Sequence, residues 1–262
     1  MPEATWYSQG AFCWAECSTT DVEGGKAFYA ELFGLDAHET PLPPEAGGGS
    51  YFEFRKDGKN VAGLTPQQPQ EKEQGIPPHW NVYIAVDDAE IAAKEAERLG
   101  GTIVAPAFDV LESGRMAVVT DPTGAAIGFW QAKDSIGAQI YAEEGTITWW
   151  ELMTPDQKRA TDFYTQLFGY GTQEQDTPSG KFIVLTHKGE QAAGIITPPQ
   201  QGPPPAWTPY FAVTDAEVTL EKAKELGATE MMPVTEAQDV GWFSWITDPQ
   251  GAVVAFIEPA LR

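Results

Sequence analysis

The sequence predicts an α+β fold of two tandem domains, each made of two βαβββ modules that form a curved sheet with helices outside it. Three observations carry this. Thr19–Gly34 (TTDVEGGKAFYAELFG) is matched by Thr154–Gly169 (TPDQKRATDFYTQLFG). Pro78–Gly100 (PHWNVYIAVDDAEIAAKEAERLG) is matched by Pro205–Gly227 (PAWTPYFAVTDAEVTLEKAKELG), and Asp121–Ala125 (DPTGA) by Asp248–Ala252 (DPQGA). The offset between copies falls from 135 at Phe28/Phe163 to 131 at Gly58/Gly189 and 127 at Trp80/Trp207, so two loops of the second copy are each four residues shorter. Self-similarity of this kind fixes the domain count before any element is assigned. It predicts a first domain over 1–132, a connection over 133–145 and a second domain over 146–262.

Within each copy the elements follow from periodicity. A strand near Phe12–Ser18, and its partner near Ile147–Met153, lead into helices whose apolar pairs Phe28/Leu32 and Phe163/Leu167 sit four apart. Thr154, Pro155 and Gln157 read as N-cap, first-turn proline and capping-box residue, and Gly34 and Gly169 suit helix ends. Strands Tyr51–Arg55 and Phe182–Thr186 turn through Asp57-Gly58 and Lys188-Gly189 into Asn60–Leu64 and Gln191–Ile196. Pro- and Gly-rich loops over Pro66–Pro78 and Pro198–Pro205 follow. Strands Asn81–Val86 and Thr208–Val213 then open the later modules, with helices Asp88–Leu99 and Asp215–Leu226. Strands Met116–Thr120 and Ala126–Trp130 close the first copy; Phe243–Thr247 and Val253–Ile257 close the second.

Composition narrows the function. With 42% hydrophobic and 21% charged residues, each half can bury a core. A formal net charge of −22 disfavours nucleic acid and anionic membrane surfaces, which attract basic patches. No apolar run reaches the ~20 residues of a membrane span, and the N-terminus lacks signal-peptide character. Cys13 and Cys17, four apart on one strand, lie ~13 Å from each other, too far for a disulfide, and a reducing cytoplasm is expected. Gly47-Gly48-Gly49 precedes no helix and is not read as a phosphate loop.

The order strand–Asp–helix with FYxxLFG, then AVDDAE…LG, then DPxGA, met twice, resembles the vicinal oxygen chelate superfamily of glyoxalase I, bleomycin-resistance proteins and extradiol dioxygenases. The two-domain length and the WxEL…T opening look like its actinobacterial hydroxylase or glyoxalase-like subgroup. In metal-binding members the resemblance implies a ligand on the first strand of a module, a second in the following module, and a Glu near the end of the last strand. Those places fall here on Trp14, Asn81 and Gly128, and on Trp149, Thr208 and Ala255. Trp, Gly and Ala have no ligating side chain, and Asn and Thr bind zinc or iron poorly. No metal ligand and no cofactor are therefore assigned. His38, His79 and His187 are read as surface histidines. A metal-dependent lyase or dioxygenase stays as the alternative, with Glu16 or Glu151 joined by Gln131 or Glu258 after a register slip.

If the ligand places that the resemblance implies mark the concave face, strand alternation turns Trp14 and Glu16, with Phe12 and Ser18, toward it, and Cys13, Ala15 and Cys17 toward the helix. Asn81 and Tyr83 join the first cup, and Trp130 shares the face of Gly128. Trp149, Glu151, Met153, Thr208 and Tyr210 form the second. Arg115 stands where the second copy has Trp242, and both are assigned to the cups, with Arg115 a candidate partner for Glu16. Aromatic walls suit a flat ligand, or else plug a cup that has lost its metal. Glu16 and Glu151, desolvated beside indoles, are candidate general acid/base groups, or else structural hydrogen-bond acceptors. The expected function is metal-independent sequestration or transformation of a small planar organic molecule, such as a natural product. A monomeric pseudo-dimer of domains, or a weak homodimer, is expected.

Overall fold

A βαβββ module needs its helix to cover one face of three or four strands, and each repeat unit meets that need twice. The computed structural model describes residues 3–43, 49–177, 180–198 and 204–260, so Gly47 and Gly48 of the triple-glycine loop lie outside the described residues. The first half runs β1 (Phe12–Thr19), α1 (Val22–Phe33), β2 (Asp36–Pro41), β3 (Ser50–Lys56), β4 (Lys59–Pro66), a short α2 (Pro69–Glu73), β5 (His79–Ala85), α3 (Ala89–Arg98), β6 (Thr102–Val110), β7 (Gly114–Thr120) and β8 (Ala126–Ala132). The second runs β9 (Ile147–Met153), α4 (Gln157–Phe168), β10 (Gly171–Thr177), β11 (Gly180–His187), β12 (Glu190–Ile196), β13 (Ala206–Ala212), α5 (Ala216–Glu225), β14 (Thr229–Ala237), β15 (Gly241–Thr247) and β16 (Val253–Pro259). Each half makes one eight-stranded sheet, in the orders β2-β3-β4-β1-β5-β8-β7-β6 and β10-β11-β12-β9-β13-β16-β15-β14. The modules meet at the antiparallel pairs β1/β5 and β9/β13, and the sheets curl as half-barrels. Among the described residues, no helix is long and apolar enough to cross a membrane.

Local chemistry explains the boundaries. Asp21 caps α1 by accepting from the Gly24 N–H, and Asp88 and Asp215 cap α3 and α5 in the same way. The second copy departs from the expected Thr154 cap: Asp156 accepts from Arg159 N–H and starts α4. Thr154 instead receives the Asp156 N–H, and the Gln157 side chain donates to Ile195 O and Lys181 O. Both early hairpins turn through two left-handed residues, Asp57-Gly58 (φ 50° and 75°) and Lys188-Gly189 (φ 53° and 88°), as a tight two-residue connection requires. The first strands after α1 and α4 carry almost no apolar alternation (DAHETP and GTQEQDT). They are exposed polar edges, a composition that discourages edge-to-edge pairing.

The helix-covered faces of the two sheets share one core. Buried Phe28, Tyr29, Phe33, Trp80 and Ile84 of the first half pack in one cluster with Tyr164, Trp207, Phe211 and Phe256 of the second. Phe33 stacks on Phe211 at 4.2 Å between ring centroids and 8° between planes. Two reciprocal polar bridges cross the seam. Trp80 Nε1 donates to Tyr29 Oη (3.1 Å), which donates to Asp248 Oδ2 (2.7 Å). Trp207 Nε1 donates to Tyr164 Oη (2.8 Å), which donates to Asp121 Oδ2 (3.1 Å). Asp121 and Asp248 also accept backbone N–H groups of their own DPxGA turns, so the repeated motif ties each half to the other's helix. The 133–145 segment is packed rather than free: Ile140 is buried, and Ala138 N–H donates to Cys13 O.

Candidate functional site

The concave faces, opposite the shared core, hold the cup residues. β1 pairs with β5 so that Glu16 faces Asn81 and Trp14 faces Tyr83, while β5 pairs with β8 so that Tyr83 faces Gly128. Trp14, Tyr83, Met116 and Trp130 form one apolar cluster on this face, and the Trp130 indole donates to Ser135 O. Ala15 and Cys17 lie in the core behind it. The carboxylate of Glu16 accepts from Tyr83 Oη at 2.7 Å and from Tyr51 Oη at 3.0 Å, and the Trp14 indole donates to Tyr51 Oη at 3.1 Å. Desolvation raises the pKa of Glu16, opposed first by the Tyr83 and then by the Tyr51 hydrogen bond.

The second cup repeats the arrangement with different chemistry. Glu151 faces Thr208, and Trp149 faces Tyr210. Tyr210 Oη donates to Glu151 at 2.6 Å and accepts from Trp245 Nε1 at 2.6 Å. Met153, Tyr210, Trp245, Ala255 and Ile257 fill the floor, with Trp149, Met232 and Phe243 half-exposed at the wall. Glu151 is 6% exposed, and burial pushes its pKa up to about 7, opposed by the Tyr210 and then the Trp149 hydrogen bond.

Four expectations are corrected. Arg115 lies on the opposite face. It pairs with Gln131, shares the face of core residues Ala117 and Val119, and its guanidinium reaches Ala107 O (3.0 Å), Asp109 (3.4 Å) and Glu90 (3.9 Å), not Glu16. Trp242 likewise faces away from its cup, paired with Glu258 and 43% exposed. Gln131 and Glu258 themselves accept the first N–H groups of α3 and α5, so neither can join Glu16 or Glu151 around a metal. Phe12 points into the core, stacked on Trp150 at 5.6 Å and near Trp207 at 5.0 Å. A β-bulge between Phe12 and Trp14 reverses the alternation, and Cys13 joins the Tyr83 side instead.

Two further residues stand on the concave face of the first cup, though the sequence did not assign them there. Tyr51 belongs to the concave set because Phe52 and Phe54, its alternating neighbours, are core residues. His79, read as a surface residue, pairs with Ser18 on the cup face and sits 3.6 Å from Glu71 of α2, which accepts from Ser18 Oγ at 2.9 Å. Its position two residues before Asn81 was the signal. His38 is exposed on β2, and His187 contacts Ser8 Oγ at 3.1 Å, away from both cups.

The Glyoxalase/Bleomycin resistance protein/Dioxygenase superfamily profile matches residues 14–129 and 146–256, one match per half-barrel. The chain belongs to this superfamily. It is 39% identical over 261 residues to a Mycobacterium tuberculosis (strain CDC 1551 / Oshkosh) protein named "Putative glyoxylase CFP32", covering 99% of each chain. It is 32% identical over 270 residues to the anthracycline biosynthesis protein DnrV of Streptomyces peucetius, covering 97% of this chain and 95% of that one. Among solved structures it is similar to a Mn(II)-bound glyoxalase from Novosphingobium aromaticivorans (TM-score 0.65, 14% identity, 96% and 83% coverage). It is also similar to 2,2',3-trihydroxybiphenyl 1,2-dioxygenase from Sphingomonas wittichii strain RW1 (TM-score 0.66, 14% identity, 96% and 91% coverage). At such identity these two support the fold alone.

The ligand places that the resemblance implies carry no matching donor set among the described residues. A side chain at Gly128 would collide with the Tyr83 ring, whose Cδ1 lies 2.2 Å from the Cβ position, so aromatic carbon fills the place of the last ligand. Among the described residues, no three His, Cys, Asp or Glu side chains converge. The nearest carboxylates, Glu16 and Glu151, are occupied by tyrosine hydroxyls.

Proposed function

We propose that the protein is a metal-independent, cytoplasmic small-molecule protein that holds a flat organic ligand against its aromatic concave faces, to sequester or to transform it. The observation that carries the reading is the replacement of the ligand positions by a carboxyl–tyrosine–tryptophan network in each cup: Trp14–Tyr51–Glu16–Tyr83 and Trp245–Tyr210–Glu151. Aromatic walls supply area and stacking, and a desolvated carboxyl supplies a polar anchor or a proton-transfer group. The name of the DnrV relative, a protein of anthracycline biosynthesis, supports a planar polycyclic ligand.

The test pairs metal analysis of gently purified protein with titration of a planar aromatic such as anthraquinone, read by indole quenching. Binding without metal, weakened by about 1–3 kcal/mol in Trp14→Ala or Trp149→Ala, is the expected result. Stoichiometric transition metal lost together with binding on chelation would overturn it. If turnover is found, Glu16→Gln or Glu151→Gln should lower kcat far more than affinity.

A further inference from the structure

The two cups are copies whose differences concentrate around one carboxyl group each. Tyr51 and Phe182 occupy equivalent places, and each ring tip overlies the glycine of the next strand, Gly63 or Gly194. Only Tyr51 carries a hydroxyl, so Glu16 accepts from two phenols while Glu151 accepts from one, with the Trp149 indole a smaller contributor. The surroundings diverge in charge as well. Glu16 faces His79 of β5, which favours its ionised form, and Glu71 of α2, whose like charge opposes it, with Glu53 of β3 beyond Tyr51. Around Glu151 every neighbouring strand of the described structure offers an uncharged group: Phe182, Gly194, Thr208, Trp245 and Ala255, besides Tyr210. Ala206 stands where the first copy has His79.

We infer that the cups carry their carboxyl groups in different forms: Glu16 as a carboxylate held by Tyr51 and Tyr83, and Glu151 as a neutral carboxylic acid that donates to a carbonyl oxygen of the ligand. A phenolic O–H donated to a carboxyl oxygen favours the ionised form, and each donor removed favours the neutral one. Desolvation pushes both carboxyl groups toward the neutral form, so the second phenol on Glu16 is what sets them apart. A neutral acid set in an aromatic wall matches a flat carbonyl compound, because it supplies the one donor that a quinone or aryl ketone needs. The first cup, presenting an anion, accepts hydrogen bonds from ligand hydroxyl or amine groups instead. Phe182 is thus a specificity-determining residue that acts through Glu151. The recognition half of this inference rests on the flat-ligand reading above; the ionisation half does not.

Two measurements separate them. In the ligand-free protein, infrared difference spectra taken through pH about 7 should show the C=O stretch of a protonated carboxyl group. That band should vanish in Glu151→Gln, persist in Glu16→Gln, and weaken in Phe182→Tyr, which restores the second phenol. Loss of the band in Glu16→Gln instead, or no band at all, overturns the ionisation assignment. In the second measurement, anthraquinone is titrated against anthracene at a series of pH values. Anthraquinone affinity of the wild type should fall roughly tenfold per pH unit above the titration point. Anthracene affinity should stay flat, and Glu151→Gln should remove the pH dependence for anthraquinone. Equal pH dependence for both compounds, or its persistence in Glu151→Gln, overturns carbonyl recognition. Failure of both compounds to bind overturns it together with the flat-ligand reading, while the infrared result still decides the form of each carboxyl.

Discussion

Replacing Tyr29 by Phe tests whether the two halves fold as one unit. The hydroxyl removed sits between Asp248 Oδ2 at 2.7 Å and Trp80 Nε1 at 3.1 Å, and all three residues are buried. Burial raises the Tyr29 pKa well above its ordinary value, so the phenol is the neutral donor to Asp248. A hydrogen bond to a charged group contributes about 1.5–3 kcal/mol, and a buried N–H left without a partner costs about 1–3 kcal/mol more. The ring is kept, so packing against Phe28 and Phe54 survives. The expected loss is therefore about 3 kcal/mol, or roughly 6–12 °C in Tm for a chain of this size. Urea unfolding followed by tryptophan fluorescence and by circular dichroism should give one coincident transition, shifted by that amount. Tyr164→Phe should cost about the same, because Trp207 and Asp121 repeat the arrangement at 2.8 and 3.1 Å. A loss under about 0.5 kcal/mol in both variants, or two separated transitions in the wild type, would refute the idea of a shared cooperative seam.

Other outcomes follow from single observations. Glu151 has a folded pKa of about 7 against an ordinary 4.5 and so binds its proton more tightly when folded. Its contribution to stability is complete below about pH 4.5 and is lost as pH rises through about 7, a swing of about 3 kcal/mol that Glu151→Gln should abolish in denaturation curves. Gly128→Ala puts a methyl group into the Tyr83 ring, 2.2 Å from Cδ1. It should cost about 1–3 kcal/mol by differential scanning calorimetry, and an unchanged Tm would mean that the ring is free to move. Phe12→Ala, which empties a seam position touching Trp150, Tyr170 and Trp207, should cost about 3–5 kcal/mol in urea unfolding. A Phe12 facing the cup would give a much smaller loss.

The repeat made most of the fold legible, because strands buried on one face and helices with i,i+4 aromatic pairs leave a periodic trace. β2, β10, β6 and β14 left little trace, since exposed edge strands are selected against apolar alternation, and Pro106 and Pro233 interrupt two of them. The cup residues Trp14, Glu16, Asn81, Tyr83, Trp149, Glu151, Thr208 and Tyr210 were placed by parity from the ligand positions that the resemblance implies, and the strand pairing puts them on one face of each sheet. Parity failed at Phe12, because a bulge adds one residue that composition does not announce. Arg115 and Trp242 were assigned by equivalence to each other rather than by the parity they share with Ala117 and Ser244, and the same rule would have turned them outward. That the halves share one core was not visible, since no local pattern distinguishes a helix face covered by its own sheet from one covered by a second copy.

The crossed Asp–Tyr bridges bear on how such a chain can change over time. Each half's anchor is stored in the other half, at Asp121 for α4 and Asp248 for α1, so neither copy can drift at the seam without weakening both. The concave faces carry no such mutual debt. Tyr51 and Phe182, His79 and Ala206, Val118 and Trp245 have come apart while the bridges stayed alike. Duplication of this kind separates two constraints that a single domain must reconcile: one surface is held fixed by its partner, and the other is left free to change.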